Sequence, residues 1–497
     1  MNKKTLLFFT LLLILLSVSY YLLKKRGKIR VDHIFLITID TLRADHLSCY
    51  GYPRKITPFI DNLAKEGIIF NNAYSNIAST APAHSSIFTG LYPRIHGVLK
   101  NWFKLDERFQ TIAEILKEKG FKTYAFTSVG LFGACNLYQG FDFYNEPIDP
   151  RIKKKYGKKY RDAKLTFRKI KEYFSSFKKK ENKDKHFIWI HLFDPHRPYY
   201  PPNIFLSKIK NLTDKRKMIN FWEKEHRINP LVYKGEVFKH REKNRYFKEM
   251  GDLKHEGMSA IDIMYEQINL YDAEIMYMDS VLREIFFYFE KKGLNKHSLW
   301  IITGDHGEGL GNHNWFTHAK HIYKEHIHIP LIFYFNNKEM GKKITEVVEH
   351  PDILPTIIDL LSLNNKEKDT LSGKSLIHFI YNSGKKYNKS FSFAQREVFK
   401  TRKQLKKIPD YVVYEKGDKY SIIDKRYHYI YKTTGVEEFF NIIDDPYEIH
   451  SLLRGTSLRR KYKGILFKLL KKIKRKTTVK KASEKEIRKI KSLGYVE

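Results

Sequence analysis

The run His33-Ile-Phe-Leu-Ile-Thr-Ile39 carries apolar, mostly β-branched side chains at consecutive rather than alternate positions. A strand of that kind needs cover on both faces, which a sheet supplies only when it lies between two layers. Helical patterns follow. Thr57–Gly67 has a proline near its start, apolar residues at helical spacing and a closing glycine, and Thr111–Gly120 repeats the logic. Phe121–Thr127, Phe187–Phe193, Leu299–Thr303 and Pro330–Phe335 are further candidate strands. Strands alternating with helices predict an α/β fold, a mostly parallel central sheet with helices on both faces. Ligand sites in such sheets form at the carboxyl ends of the strands.

A chain of 497 residues with 42% hydrophobic and 15% aromatic content can bury one large core and a smaller one. We expect a main domain over residues 31–380, with a basic insertion at about 151–257. Met258–Gly293 reads as one long amphipathic helix whose Met and Tyr stripe is core packing. Residues 381–497 read as a smaller C-terminal α+β subdomain, with short strand-like runs at Tyr411–Tyr414 and Tyr427–Tyr431 and a basic tail. With only two cysteines, Cys49 and Cys135, a disulfide framework and a cysteine-rich zinc module are both excluded.

Residues 1–30 form a separate segment. Thr5–Leu23 is free of charge and long enough to span a bilayer as a helix, with basic residues on both sides. An uncleaved membrane anchor is the preferred reading over a signal peptide cut near Ser17–Ser19. The formal net charge is +37, and between Arg454 and Lys491 there are 17 Lys and Arg against two acids. That predicts attraction to an anionic lipid head group or an anionic polymer. No nucleic-acid motif accompanies the charge, so nucleic acid is not an expected partner.

Three candidate strands end in metal-type ligands: Asp40 after the first, Asp194 and His196 after the second, and Asp305 and His306 after the third, followed by His313 and His318. One aspartate after a strand is an ordinary helix cap. Three such ends suit a divalent cation, with zinc or manganese preferred because imidazole is present, and calcium or magnesium left open. The stretch Ser79-Thr80-Ala81-Pro82-Ala83-His84 puts proline where a first helical turn tolerates it, with Thr80 at the N-cap. Thr80 is therefore either a plain cap or a hydroxyl nucleophile beside a metal.

IDTLRADHLSCYGY, TPFIDNLAKEGIIFNNAYS, TAPAHSSIFTGLYPRIHG, HLFDPHRPYYPP, GDHGEGLGNH and PDILPTIIDLL occur in one order along the chain. In these six motifs the sequence resembles the sulfatase-like branch of the alkaline phosphatase superfamily. The resemblance covers about Asp32–Leu376 and continues weakly through Asn441–Leu452. It implies an alkaline-phosphatase-like fold and an enzyme acting on an anionic ester substrate with one or two divalent metals. By the resemblance, Asp40, Asp305 and His306 would hold a metal together with the Thr80 oxygen. His196 and His318 would bind the ester oxyanion or join Asp194 around a second metal, and one of the two histidines would supply the proton. His84 would help position Thr80. The catalytic domain would then lie outside the cytoplasmic membrane, against the bias of the basic cluster after Leu23.

The sequence departs from the family's sulfatases at Thr80. They carry a cysteine or serine there, converted to formylglycine, and a threonine cannot follow that route. His84 also replaces an arginine, and Thr41 replaces a second aspartate. These departures favour phosphoesters, with sulfuric ester hydrolysis and a phosphoglycol or phosphoethanolamine-type transfer as alternatives. A non-catalytic polyanion-binding protein is the reading outside enzymology.

Overall fold

The computed structural model describes residues 29–147, 160–177, 184–224, 260–336, 338–363, 368–381, 387–398, 417–452, 457–473 and 480–492. The expected anchor Thr5–Leu23 and the expected strand Tyr411–Tyr414 lie outside them. No helix among the described residues is long and apolar enough to cross a membrane.

Eight strands build the main sheet: β1 (His33–Ile39), β2 (Ile68–Tyr74), β3 (Phe121–Thr127), β4 (Phe143–Asn145), β5 (Lys185–Leu192), β6 (Ser298–Gly304), β7 (Leu331–Phe335) and β8 (Lys342–Glu349). Their order is β4-β3-β5-β1-β6-β7-β2-β8. All pairings are parallel except those of β7, which runs against both β6 and β2. β1 is buried along its whole length, and its side chains divide between two cores. Ile34 and Leu36 face a layer that includes the helices Thr80–Thr89 and Ile353–Leu360. Phe35, Ile37 and Ile39 face the helices Pro58–Glu66, Ala163–Phe174 and Ala260–Lys291. That division is the physical reason for the unbroken apolar run.

The stretch 151–257 is interrupted by β5, which lies third in the sheet, beside β1. β2 and β8 were not foreseen. The polar pair Asn71-Asn72 breaks the apolar pattern of β2, which shows a register shift between Phe70 and Asn72. A second, antiparallel sheet follows: β9 (Ser392–Arg396), β10 (Lys419–Ile423), β11 (Tyr427–Lys432) and β12 (Glu437–Asn441). The basic helix Ser457–Lys472 packs on it through Tyr462 and Leu466.

The register of the central strands positions the site. Ile39 of β1 lies opposite Gly304 of β6 and Leu192 of β5. The next residues, Asp40 and Asp305, therefore emerge side by side from neighbouring parallel strands.

Candidate active site and metal centre

Asp40 and Asp305 are both fully buried. The Asp305 Oδ1 accepts the backbone N–H groups of Thr41 (3.0 Å) and His306 (2.7 Å). Thr41 adopts a left-handed conformation, φ 57°, and this turns its N–H toward Asp305. For a β-branched residue that backbone costs on the order of 1 kcal/mol or more, a strain of the kind that persists where a site needs it. The Asp305 Oδ2 has no hydrogen-bond partner among the described residues. Burial, and then the neighbouring Asp40, push the Asp305 carboxyl well above the usual carboxylate range.

His306 completes the centre. Its Nδ1–H donates to the Gly307 carbonyl at 2.9 Å, so Nε2 carries the lone pair. That Nε2 lies 3.6 Å from Asp305 Oδ2, 3.8 Å from Asp40 Oδ1 and 3.3 Å from Thr80 Oγ1. Burial, and then His318, keep the ring well below its ordinary pKa. Two buried carboxylates, an unprotonated imidazole and a hydroxyl thus converge on one point. A divalent cation fits this donor set, because it offsets the paired negative charge that burial otherwise makes costly.

The helix Thr80–Thr89 is buried at all ten positions. Its hydroxyls at Ser85, Ser86 and Thr89 donate to carbonyls four residues back, which satisfies them without water. The N-cap is Ser79, in extended conformation, and Thr80 is the first helical residue rather than the cap expected from the sequence. The capping is done from outside: the Asn101 Oδ1 accepts the Ala81 N–H at 2.9 Å and the Ser79 hydroxyl at 3.1 Å. The Thr80 hydroxyl is thereby left to face His306.

A short relay fixes His84. Trp189 Nε1–H, which can only donate, gives to Thr38 Oγ1 at 3.0 Å, and the Thr38 hydroxyl donates to His84 Nε2 at 2.9 Å. The proton of His84 then sits on Nδ1 and is donated to the Thr80 carbonyl at 2.8 Å. Burial, and then His191, hold this imidazole well below its usual pKa. His84 is a neutral strut under Thr80.

His196 and His318 stand together, with ring centres 5.0 Å apart, and the His318 ring is 4.5 Å from that of His306. His196 Nδ1–H donates to the Arg197 carbonyl. His318 Nδ1 meets Glu308 Oε1 at 3.3 Å, so Glu308 sets the ring's orientation. Asp194 does not join them in a cluster. Its Oδ2 accepts the Ala163 N–H at 2.8 Å, at the start of the helix Ala163–Phe174. Burial, and then Asp162, raise its carboxyl to about 7. His313 is likewise elsewhere, between Glu325 and the Glu448 carbonyl.

Among the described residues, three or more ligand atoms come within 4.8 Å of one another at two overlapping groups: Asp40–Asp305–His306, and His84–His191–Asp305. His191 was not foreseen. It is the last residue but one of β5, opposite Thr38, its Nε2 is 3.6 Å from Asp40 Oδ2, and neither ring nitrogen has a hydrogen-bond partner among the described residues. A histidine within the apolar run FIWIHL was the available signal. Asn101 and Glu308 were missed as well, since their roles depend on contacts remote in sequence.

The family model for sulfatases matches residues 32–363. The chain belongs to the sulfatase family. An ulvan-active sulfatase of Formosa agariphila is 24% identical over 473 residues, covering 88% of this chain and 82% of that protein. An N-acetylglucosamine-6-O-sulfatase of Bacteroides thetaiotaomicron is 24% identical over 514 residues, covering 88% and 85%. In fold, the sulfatase-family chain is similar to the phosphonate monoester hydrolase of Agrobacterium radiobacter. That match has a TM-score of 0.67 at 17% identity and covers 89% of this chain and 96% of that one. Membership places the chain among metal-dependent enzymes that hydrolyse sulfuric or phosphoric esters, with the alkaline-phosphatase-like architecture.

Proposed function

We propose that this sulfatase-family chain hydrolyses sulfuric esters on an anionic carbohydrate, with the unmodified Thr80 hydroxyl as nucleophile. The observation that carries the reading is the position of that hydroxyl: uncommitted to capping, 3.3 Å from His306 Nε2 and beside two buried aspartates. The sulfatase names of the relatives support sulfate over the phosphoester preference drawn from Thr80 in the sequence.

Asp40, Asp305, His306 and Thr80 would hold one divalent cation, zinc or manganese by donor type. When bound, it lowers the pKa of the Thr80 hydroxyl and offsets charge on the ester oxygens. The chain's residues do the rest. The Thr80 hydroxyl releases its proton to solvent, its Oγ1 attacks sulfur in line, the bond from sulfur to the alcohol oxygen breaks, and the sulfate is left on Thr80. His318, aimed by Glu308, protonates the leaving alcohol, with His196 beside it facing the ester oxygens. Water then attacks the threonyl ester at sulfur, gives its proton to the same histidine, and frees Thr80. His84, through the Thr80 carbonyl, keeps the nucleophile in place while charge moves.

A second reading, hydrolysis of phosphate or phosphonate esters, is favoured by Thr80 itself. A threonyl ester has no neighbouring hydroxyl on the same carbon to expel the group, so release requires attack on sulfur or phosphorus. We also keep Thr5–Leu23 as a membrane anchor with the catalytic domain on the extracytoplasmic side. The test is a panel of sugar sulfates, aryl sulfates, phosphate diesters and phosphonate monoesters, run with metals added back. Turnover of sugar sulfates above the others supports the first reading, and a preference for phosphorus esters supports the second.

A further inference from the structure

The two aspartates of the centre divide their oxygens in the same way. Asp305 turns Oδ2 toward His306 Nε2 at 3.6 Å, while its Oδ1 is held by the backbone N–H groups of Thr41 and His306. Asp40 turns Oδ1 toward the same His306 Nε2 at 3.8 Å. Its Oδ2 lies 3.6 Å from His191 Nε2. Each carboxylate thus presents one oxygen to the cation position and the other to a nitrogen of the chain.

The sheet fixes His191 in that place. It lies opposite Thr38 in the β1–β5 ladder, and two residues after Thr38 the Asp40 N–H donates to the Leu192 carbonyl at 2.9 Å. The His191 ring is fully buried and packs against the rings of Phe132 and His84, with centres 4.8 Å and 5.3 Å away. Neither of its nitrogens has a hydrogen-bond partner among the described residues. A neutral imidazole always carries one N–H, and a buried N–H without an acceptor is costly. His84 cannot supply that acceptor, because its Nε2 already accepts from the Thr38 hydroxyl and its Nδ1–H donates to the Thr80 carbonyl. Both His84 nitrogens being taken, the group His84–His191–Asp305 is not a second cation site. The acceptor left to His191 is Asp40 Oδ2.

We propose that His191 is a positioning residue of the metal centre. With the cation bound, its Nε2–H donates to Asp40 Oδ2 and so aims Oδ1 at the metal, without itself ligating. Outer hydrogen bonds of this kind orient the ligand and raise metal affinity by roughly tenfold to a hundredfold. The proposal rests on the reading of Asp40, Asp305 and His306 as a cation site.

The test is the zinc affinity of the full chain, read by competition with a chromophoric chelator, for wild type, His191→Phe and His191→Gln. Phenylalanine keeps a ring and removes the donor, and glutamine puts an amide N–H where Nε2 stands. His191→Phe should weaken zinc binding tenfold or more, and His191→Gln should recover most of that loss. Metal-free His191→Phe should melt no lower than metal-free wild type, since the nitrogens it removes bond to nothing there. Zinc affinity equal in wild type and His191→Phe overturns the proposal alone, as does a lower metal-free melting temperature with no recovery of affinity in His191→Gln. A wild-type chain that binds no zinc overturns the cation reading and the proposal together. One measurement needs no variant and decides the matter if His191→Phe fails to fold. Nitrogen-15 spectra of the zinc-loaded, histidine-labelled chain should show His191 neutral with its proton on Nε2. A bare Nε2, whether bound to zinc or not, overturns the proposal.

Discussion

The Asn101 side-chain oxygen accepts the Ala81 N–H at 2.9 Å and so performs the capping that Thr80 would otherwise have done. A residue 20 positions away thus separates the two roles that the sequence left superimposed on Thr80. Asn101→Ala should cost about 1 kcal/mol of stability, the usual worth of a helix cap. It should lower kcat by tenfold or more, because Thr80 can then turn back onto its own helix. Asn101→Asp keeps the acceptor and should retain the stability. Thermal melts with steady-state rates check this, and a variant that loses stability but keeps wild-type kcat would contradict it.

The relay from Trp189 through Thr38 to His84 predicts a tautomer. With burial holding its pKa down, His84 should stay neutral and carry its proton on Nδ1 at pH 5 as at pH 7. Nitrogen-15 spectra of histidine-labelled protein read this directly. Trp189→Phe removes the donor that orients Thr38 and should lower kcat while leaving substrate affinity near its original value. A His84 signal that titrates near pH 6.5 would contradict the relay.

Chelation should destabilise the protein, since an empty centre leaves Asp40 and Asp305 as buried neighbours. Saturation at a hundred times Kd is worth about 2.7 kcal/mol. Adding zinc or manganese should restore the melting temperature. Asp305→Asn should remove most of that response and abolish activity. A melting temperature indifferent to chelator and metal would count against the centre.

His313 gives a pH dependence away from the site. Burial alone would lower its pKa, but Glu325, 2.7 Å away, raises it to about 9. A histidine raised above its unfolded value of about 6.5 stabilises fully below that pH, and the benefit is lost as pH rises through 9. The melting temperature should fall across that window, and His313→Gln should flatten the fall. An equal slope in wild type and variant would rule the pair out as its source.

The central strands were legible because burial on both faces writes itself into consecutive apolar residues, as in His33–Ile39 and Leu299–Thr303. Asp40, Asp305 and His306 were legible because a parallel sheet gathers the carboxyl ends of neighbouring strands. Other features depend on contacts that no local pattern encodes. The Thr80 position relative to its cap was set by Asn101, and Asp194 was drawn off by the Ala163 N–H. His191 was hidden inside a strand whose other residues are apolar.

The central claim is that the Thr80 hydroxyl is the nucleophile. The direct measurement is kcat of Thr80→Ala and Thr80→Ser on whichever ester the wild-type chain turns over best, with metal bound and melting temperatures compared. Thr80→Ala should fold, because Asn101 rather than Thr80 caps the helix, and its kcat should fall by several orders of magnitude. Thr80→Ser, which keeps a hydroxyl at the same place, should retain a measurable part of the rate. Near wild-type kcat in Thr80→Ala would show that Thr80 is only the first residue of a helix and that the reaction takes place without it.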